Sequence, residues 1–278
     1  FNITINNVTF EFNSTEDVKT SEDFTLGPHE ELFAYIEHNF TASGTYNVSA
    51  EAFVNDTVLY GNLTTNFSYD ANGNLIDDGE FTYVFDNFNR LVRVNDSNGT
   101  IAEYIYDHTG KRRYKNESSE ETFYFNDKFL TVDNGSGETN TTYYYHGSTL
   151  VGKQEGTSNT SYYHPDHLGS TSIVTGYSEG SQPPDLLEET NYYPFGSVIE
   201  GGESRYLYTG KEKDSTGLSY YEARYYNPAI RKFTQPDPLS YDLSLADKRR
   251  ELIYNPQQLN AYSYVLNGPY KYVDPTGN

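Results

Sequence analysis

The sequence contains no cysteine. That excludes disulfides, thiolate metal sites and a cysteine nucleophile together. Methionine and tryptophan are also absent. Because translation starts with Met, the chain reads as a processed product or a fragment without its leader. Basic residues are scarce: Lys and Arg total 19 against 40 Asp and Glu, a formal charge of −21. Such a surface repels phosphate backbones and anionic lipid, so no nucleic-acid partner and no basic membrane patch are expected. No apolar run approaches the roughly 18 residues of a spanning helix, so no transmembrane segment is expected. What is abundant is tyrosine, 29 residues, with 16 Phe, 22 Gly and 11 Pro. Tyr favours half-buried pleated surfaces, and Gly and Pro punctuate them with turns. The expectation is an all-β protein, secreted or exposed at a surface.

The acceptor pattern Asn-X-Ser/Thr occurs at Asn2, Asn7, Asn13, Asn39, Asn47, Asn55, Asn62, Asn66, Asn95, Asn98, Asn116, Asn134, Asn140 and Asn159. All of these precede residue 162, and their number is about three times what chance would give under the acceptor rule. Glycans need solvent and a secretory route. Residues 1–161 are therefore expected to face outward and to carry covalent N-glycans. A composition rich in Ser, Thr and Asn is the passive alternative.

Residues 1–66 read as about five short strands, fewer than the roughly seven of an immunoglobulin-like sandwich. Tyr46, Val48, Ala50 and Ala52 alternate with Thr45, Asn47, Ser49 and Glu51, the period of a half-buried strand. Leu32, Ala34 and Ile36 alternate similarly. The opening strand, residues 1–12, slips phase near Asn6-Asn7, which predicts a bulge. That strand either pairs within its own module or is donated to a neighbour's sheet, and the sequons at Asn2 and Asn7 weigh against donation.

From residue 67 the texture becomes periodic. Tyr69-Asp70 leads to Gly73, Phe85-Asp86 to Asn89, and Tyr106-Asp107 to Gly110, with spacings of 16 and 21 residues. Weaker echoes stand at Phe125-Asn126, Tyr145-His146 and Tyr163-His164. In each unit the aromatic ends a strand in the core, Asp caps a turn, and Gly or Asn takes the positive-φ position. Stacked hairpins of this kind bury one aromatic seam, including Tyr69, Phe85, Tyr106, Tyr208, Tyr221 and Tyr225.

The series resembles the YD repeats of the RHS family. The resemblance sharpens at His164-Pro-Asp-His-Leu-Gly-Ser-Thr171, Tyr192-Tyr-Pro-Phe-Gly196, Tyr208-Thr-Gly-Lys-Glu212, Gly217-Leu-Ser-Tyr-Tyr-Glu-Ala-Arg-Tyr-Tyr-Asn-Pro228, Phe233-Thr-Gln-Pro-Asp-Pro238, Leu259 to Pro269 and Tyr272-Val-Asp-Pro-Thr-Gly277. In that order these segments look like the RHS repeat-associated core, and the match covers about residues 67–278. The expected organisation is a β-sandwich-like module at 1–66, YD repeats at 67–161 and the core at 162–278. At most one short helix is expected, near 243–253, where Asp247 to Glu251 supply a charged face. The stretch Glu179 to Glu189, with Pro183-Pro184, reads as a loop.

The resemblance implies a large β-shell, plugged by the core in toxin members, with an aspartyl autoprotease that frees a C-terminal cargo. Here the family's Arg-Tyr-Tyr-Asp-Pro stands as Arg224-Tyr-Tyr-Asn227-Pro. An aspartyl dyad needs two carboxyls sharing one proton, and an amide at Asn227 cannot take that part. Asp237 and Arg224 then read as an autoprotease remnant, with Asp237-Pro and Asp274-Pro as turn residues, and no enzyme is expected. His164, Asp166 and His167 lie within four residues but without the further ligands a metal site needs, so they read as a structural loop. Ser170 and Ser172 lack the hydrolase elbow around them. No metal and no cofactor are expected.

These residues lead to two expectations. The first is an extracellular, glycosylated structural protein, an archaeal cell-surface component that self-assembles as a filament or sheath subunit. The alternative is the shell portion of a secreted polymorphic toxin with autoproteolytic cargo release.

Overall fold

The aromatic-aspartate turns build the fold, and each is closed by its own carboxylate. Asp70 Oδ1 accepts the backbone N–H of Asn72 (2.9 Å) and of Asn74 (2.8 Å). Asp86 does the same for Phe88 (2.8 Å) and Arg90 (3.0 Å). Asp107 accepts Thr109 (2.8 Å) and Lys111 (3.1 Å), and Asp166 accepts Leu168 and Ser170, both at 2.8 Å. In each turn the residue three after Asp lies at positive φ: Gly73 at 83°, Asn89 at 59°, and Gly110 and Gly169 at 87°. Gly and Asn are the residues that tolerate this conformation. The echo at Tyr163-His164 completes its turn two residues later, through Asp166. Those at Phe125-Asn126 and Tyr145-His146 are two-residue hairpins instead, with Asn126 paired to Phe129 and His146 to Thr149.

The computed structural model describes the backbone of residues 3–12, 18–20, 24–26, 45–54, 57–59, 65–117, 120–176, 184–238 and 260–278, and the side chains of 67–117, 120–176, 184–238 and 260–278. Two compact units are formed, Phe1–Tyr83 and Val84–Asn278. The expected helix near 243–253 and the alternation at Leu32, Ala34 and Ile36 lie outside the described residues. Among the described residues the chain is nearly all β and antiparallel.

The strands that begin in the first unit are β1 (Ile3–Phe12), β2 (Val18–Thr20), β3 (Phe24–Leu26), β4 (Thr45–Val54), β5 (Thr57–Leu59), β6 (Thr65–Tyr69), β7 (Leu75–Asp77) and β8 (Thr82–Phe85). β1 pairs with β4 and also with β2 and β3. Its register against β4 shifts between Ile5 and Val8, which is the bulge expected at Asn6-Asn7. β1 therefore pairs within its own unit, the first of the two arrangements the sequence allows. β4 also pairs with β5 and β6, β6 with β7, and β7 with β8.

The second unit contains an antiparallel meander in which every strand pairs with the next: β9 (Leu91–Asp96), β10 (Gly99–Tyr106), β11 (Arg112–Glu117), β12 (Glu120–Asn126), β13 (Phe129–Asp133), β14 (Glu138–His146), β15 (Thr149–Glu155), β16 (Asn159–Pro165), β17 (Thr171–Gly176) and β18 (Asp185–Glu189). Alternation gives it one buried face, with Leu91, Val94, Ala102, Tyr104, Leu130, Tyr143, Leu150, Tyr163 and Val174 inward. β18 corrects the loop reading for Asp185–Glu189, and residues 179–183 lie outside the described residues. Pairing with β17 makes Asp185–Glu189 a strand despite the preceding prolines, because ladder hydrogen bonds override weak local propensity.

The residues that follow form short strands: β19 (Asn191–Tyr192) with β20 (Val198–Glu200), and a small sheet of β21 (Glu212–Lys213), β22 (Ser219–Tyr220), β23 (Tyr225–Asn227) and β24 (Lys232–Phe233). Their core is a ring cluster of Tyr208, Tyr221, Tyr226, Phe233 and Tyr264. Tyr226 and Tyr264 stack at 4.5 Å, and Tyr221 meets Phe233 edge-on at 5.6 Å. Gly196 is fixed by this packing: a Cβ there would stand 2.4 Å from the Tyr208 ring. Of the expected seam, Tyr208, Tyr221 and Tyr225 are buried, and Tyr69, Phe85 and Tyr106 are half-buried.

Candidate functional site

The meander and the C-terminal core are joined by buried charge. On β11 the inward phase carries Arg112, Lys115 and Glu117 where apolar residues would ordinarily stand. Facing them are Arg205 and, from the core segment, Glu212 and Asp214. Lys115 Nζ lies 2.9 Å from Glu117 Oε2, 3.0 Å from Glu212 Oε1 and 3.0 Å from Asp214 Oδ1. Arg112 reaches Asp214 at 2.6 Å and Glu212 at 2.7 Å. Arg205 Nη1 lies 2.8 Å from Glu212 Oε1. Three cations and three carboxylates thus neutralise one another, as burial requires.

Tyrosines close the cluster. The Arg112 guanidinium lies 4.3 Å from the Tyr220 ring centre and 5.3 Å from those of Tyr104 and Tyr124. Tyr124 donates its hydroxyl to Glu212 at 2.6 Å. Burial alone would raise the Glu212 pKa, but Lys115, Arg112 and Arg205 hold it well below the usual carboxylate range. Glu117 goes the other way, raised by burial and by the negative charge of Asp214. Burial opposes the charge on Lys115, yet Asp214 and Glu212 outweigh it and raise its pKa. None of these six residues was singled out as a site from the sequence, although Glu212 lies in a quoted motif. Charged residues in the inward phase of β11 were the available signal.

Arg224 and Asp237, the residues the family resemblance points to, occupy a second place in the same unit. Arg224 Nη2 stands 3.6 Å from Asp237 Oδ2 and 3.7 Å from Asp274 Oδ2. Its Nε donates to the Gly277 carbonyl and its Nη1 to that of Ala261 at 3.0 Å. Asp274 Oδ1 accepts the N–H of Gly277 at 2.7 Å and of Thr276 at 3.1 Å. Two carboxylates therefore face one buried guanidinium beside the Pro275–Gly277 segment. Burial lowers the Arg224 pKa, with Asp237 and Asp274 opposing. Asn227 does other work: its Oδ1 accepts the N–H of Ala229 at 2.9 Å, capping the turn after β23. A cleft of about 680 Å³ opens nearby, with Lys111, Lys211, Glu222 and Asp274 among its walls.

The other candidates do not converge. His164 Nε2 contacts the Thr175 hydroxyl at 3.0 Å, His167 Nε2 contacts the Tyr270 carbonyl at 3.3 Å, and Asp166 closes its own turn. Ser170 Oγ accepts the N–H of Thr209 at 3.1 Å. Among the described residues no cluster of His, Asp and Glu could hold a metal ion. Of the sequon residues, Asn98, Asn134, Asn140 and Asn159 are exposed, and Asn95 and Asn116 are half-buried. Asn7, Asn47 and Asn66 fall within β1, β4 and β6, and Asn2, Asn13, Asn39, Asn55 and Asn62 lie outside the described residues.

The family model of the Teneurin YD-shell matches residues 53–270. The tRNA3(Ser)-specific nuclease WapA of Bacillus spizizenii is 30% identical over 226 residues, which are 76% of this chain and 9% of that protein. Toxin subunit YenC1 of Yersinia entomophaga is 31% identical over 100 residues, 33% of this chain and 9% of the subunit. Among solved structures, the Photorhabdus luminescens Tc holotoxin pore superposes with a TM-score of 0.60 at 19% identity, over 83% of this chain and 12% of that one. The chain thus spans about a tenth of the curated relatives it matches.

Proposed function

We propose a role as shell wall and plug for this chain, which belongs to the Teneurin YD-shell family, within a secreted or surface-displayed assembly. The observation that carries the reading is the cluster of Arg112, Lys115, Arg205, Glu117, Glu212 and Asp214. It clamps the C-terminal core onto the inward face of the meander, so that wall and plug are one body. A protein that only presented a sheet for self-assembly would not need its core charges buried there. The likeness to a toxin subunit and to a Tc toxin fold supports the shell reading over a filament or sheath subunit. Its partners are then the remaining wall strands and an enclosed polypeptide.

The role is structural rather than catalytic. Asn227 caps a turn, and Asp237 and Asp274 are engaged by Arg224, an arrangement suited to anchoring the Asp274–Gly277 segment. The surface is extracellular and N-glycosylated. No helix among the described residues is long and apolar enough to cross a membrane. Protease treatment of the longest natural form tests enclosure. A fragment that survives in the parent and is digested once Asp214→Asn loosens the clamp supports it. Uniform digestion of the parent overturns it.

A further inference from the structure

The outward face of the meander is not uniformly polar. Phe123, Phe125, Tyr144, Val151, Tyr162 and Ile173 are 38–61% exposed, and the first five sit in the phase opposite to the buried residues of their strands. A solvated sheet face ordinarily alternates to polar residues. A contiguous apolar patch marks a surface that something covers.

A sequon stands at the edge of this band. Tyr114, Phe123, Thr131 and Asn140 are direct partners across β11, β12, β13 and β14. They form one row on the outward face. Phe129, diagonal to Asn140, packs against Phe125 with ring centres 5.4 Å apart. Asn140 itself is exposed, and its Oδ1 accepts the Thr131 hydroxyl at 2.7 Å. That contact fixes the amide plane and leaves Nδ2, the atom an N-glycan bonds to, without a partner among the described residues. The amide nitrogens of Asn98 and Asn159 are instead tied to Asp96 at 3.3 Å and Glu155 at 3.2 Å.

We propose that Asn140 carries an N-linked oligosaccharide whose first sugars lie over the band formed by Phe123, Phe125, Phe129 and Tyr144. This rests on the reading that the chain is displayed outside the cell. In the transfer step Nδ2 bonds to the anomeric carbon of a phosphate-activated oligosaccharide donor. The carbon–oxygen bond to phosphate breaks, the phosphate carrier leaves, and the amide gives up one proton. Strands lie about 4.8 Å apart, so Phe123, two strands from Asn140, is roughly 10 Å away, within reach of two sugars. The C–H face of a pyranose suits the negative face of an aromatic ring. A glycan here covers apolar rings that the acidic surface does not.

The test uses the full chain purified from its own source, with glycopeptide mass spectrometry and the fluorescence of a hydrophobic dye as readouts. Asn140 is expected to be occupied in most molecules. Thr142→Ala, which destroys the sequon and keeps the Thr131–Asn140 hydrogen bond, is expected to raise dye fluorescence several-fold. Asn98→Gln is expected to leave it unchanged. An unmodified Asn140 beside other occupied sequons overturns the proposal alone, as does an occupied Asn140 whose loss leaves dye binding unchanged. A chain with no sugar on any sequon overturns the extracellular reading as well.

Discussion

Lys115 and Asp214 lie 99 residues apart in the sequence and are joined at 3.0 Å between Nζ and Oδ1, both buried. Their contact fixes the core segment against β11. Breaking a buried pair by removing one partner leaves an uncompensated charge and costs about 3–5 kcal/mol. Asp214→Asn is therefore expected to lower the urea midpoint strongly. Lys153→Ala, which removes the more exposed pair with Glu155, is expected to cost less than about 1 kcal/mol. Equal midpoints for the two variants contradict the clamp.

Stability should fall in acid. The folded pKa of Glu212 is depressed: burial would raise it, and Lys115, Arg112 and Arg205 overcome that. Its contribution is complete above its unfolded value, near 4.5, and is lost as pH falls toward the folded value. Glu117, whose folded pKa is raised, contributes in the opposite sense and weakens the fold as pH rises above about 4.5. Chemical denaturation between pH 3 and 7 should show a loss below about pH 4.5 that Glu212→Gln reduces, the remainder coming from Asp86, Asp107 and Glu188, whose folded pKa values are also lowered. Glu117→Gln should be much better tolerated at pH 7.

The Tyr225 ring is buried, and its hydroxyl meets those of Tyr106 at 2.9 Å and the Arg112 guanidinium at 3.1 Å. Tyr225→Ala is expected to cost about 3–5 kcal/mol by the large-to-small rule, and Tyr225→Phe about 1 kcal/mol for the lost hydrogen bonds. Tyr144→Ala, on the outward face, should cost far less. Urea midpoints order the three, and a neutral Tyr225→Ala contradicts the packing.

A folded reporter joined after Asn278 is expected to remain covalently attached through prolonged incubation, because Asn227 supplies no carboxyl and Arg224 engages Asp237 and Asp274. Gel analysis shows the outcome directly. Release that Asp237→Asn abolishes would establish catalysis and overturn the structural assignment.

The turns were legible in the sequence because they are local. Asp86 and Arg90, or Asp107 and Lys111, contact each other across four residues, so the pattern alone specifies the geometry. The bulge at Asn6-Asn7 was legible for the same reason, as a slip of a period of two. β18 was not, since Pro183-Pro184 and the acidic flank read as a loop while β17 supplies the missing hydrogen-bond partners. The clamp was hidden by distance: Arg112 and Lys115 look like solvated charges until Glu212 and Asp214, far along the chain, are brought to them. Asp274 was read as a turn residue. It does cap the turn at Gly277, and its pairing with Arg224 emerges only from the tertiary fold.

Electron cryomicroscopy of the longest natural form of the protein tests the shell assignment most directly. The account predicts a closed, hollow β-shell in which the strands from Leu91 to Glu189 form part of the wall and residues 191–238 and 260–278 pack on its inner face. Open filaments built from repeated copies, with those residues on the outside, would contradict it.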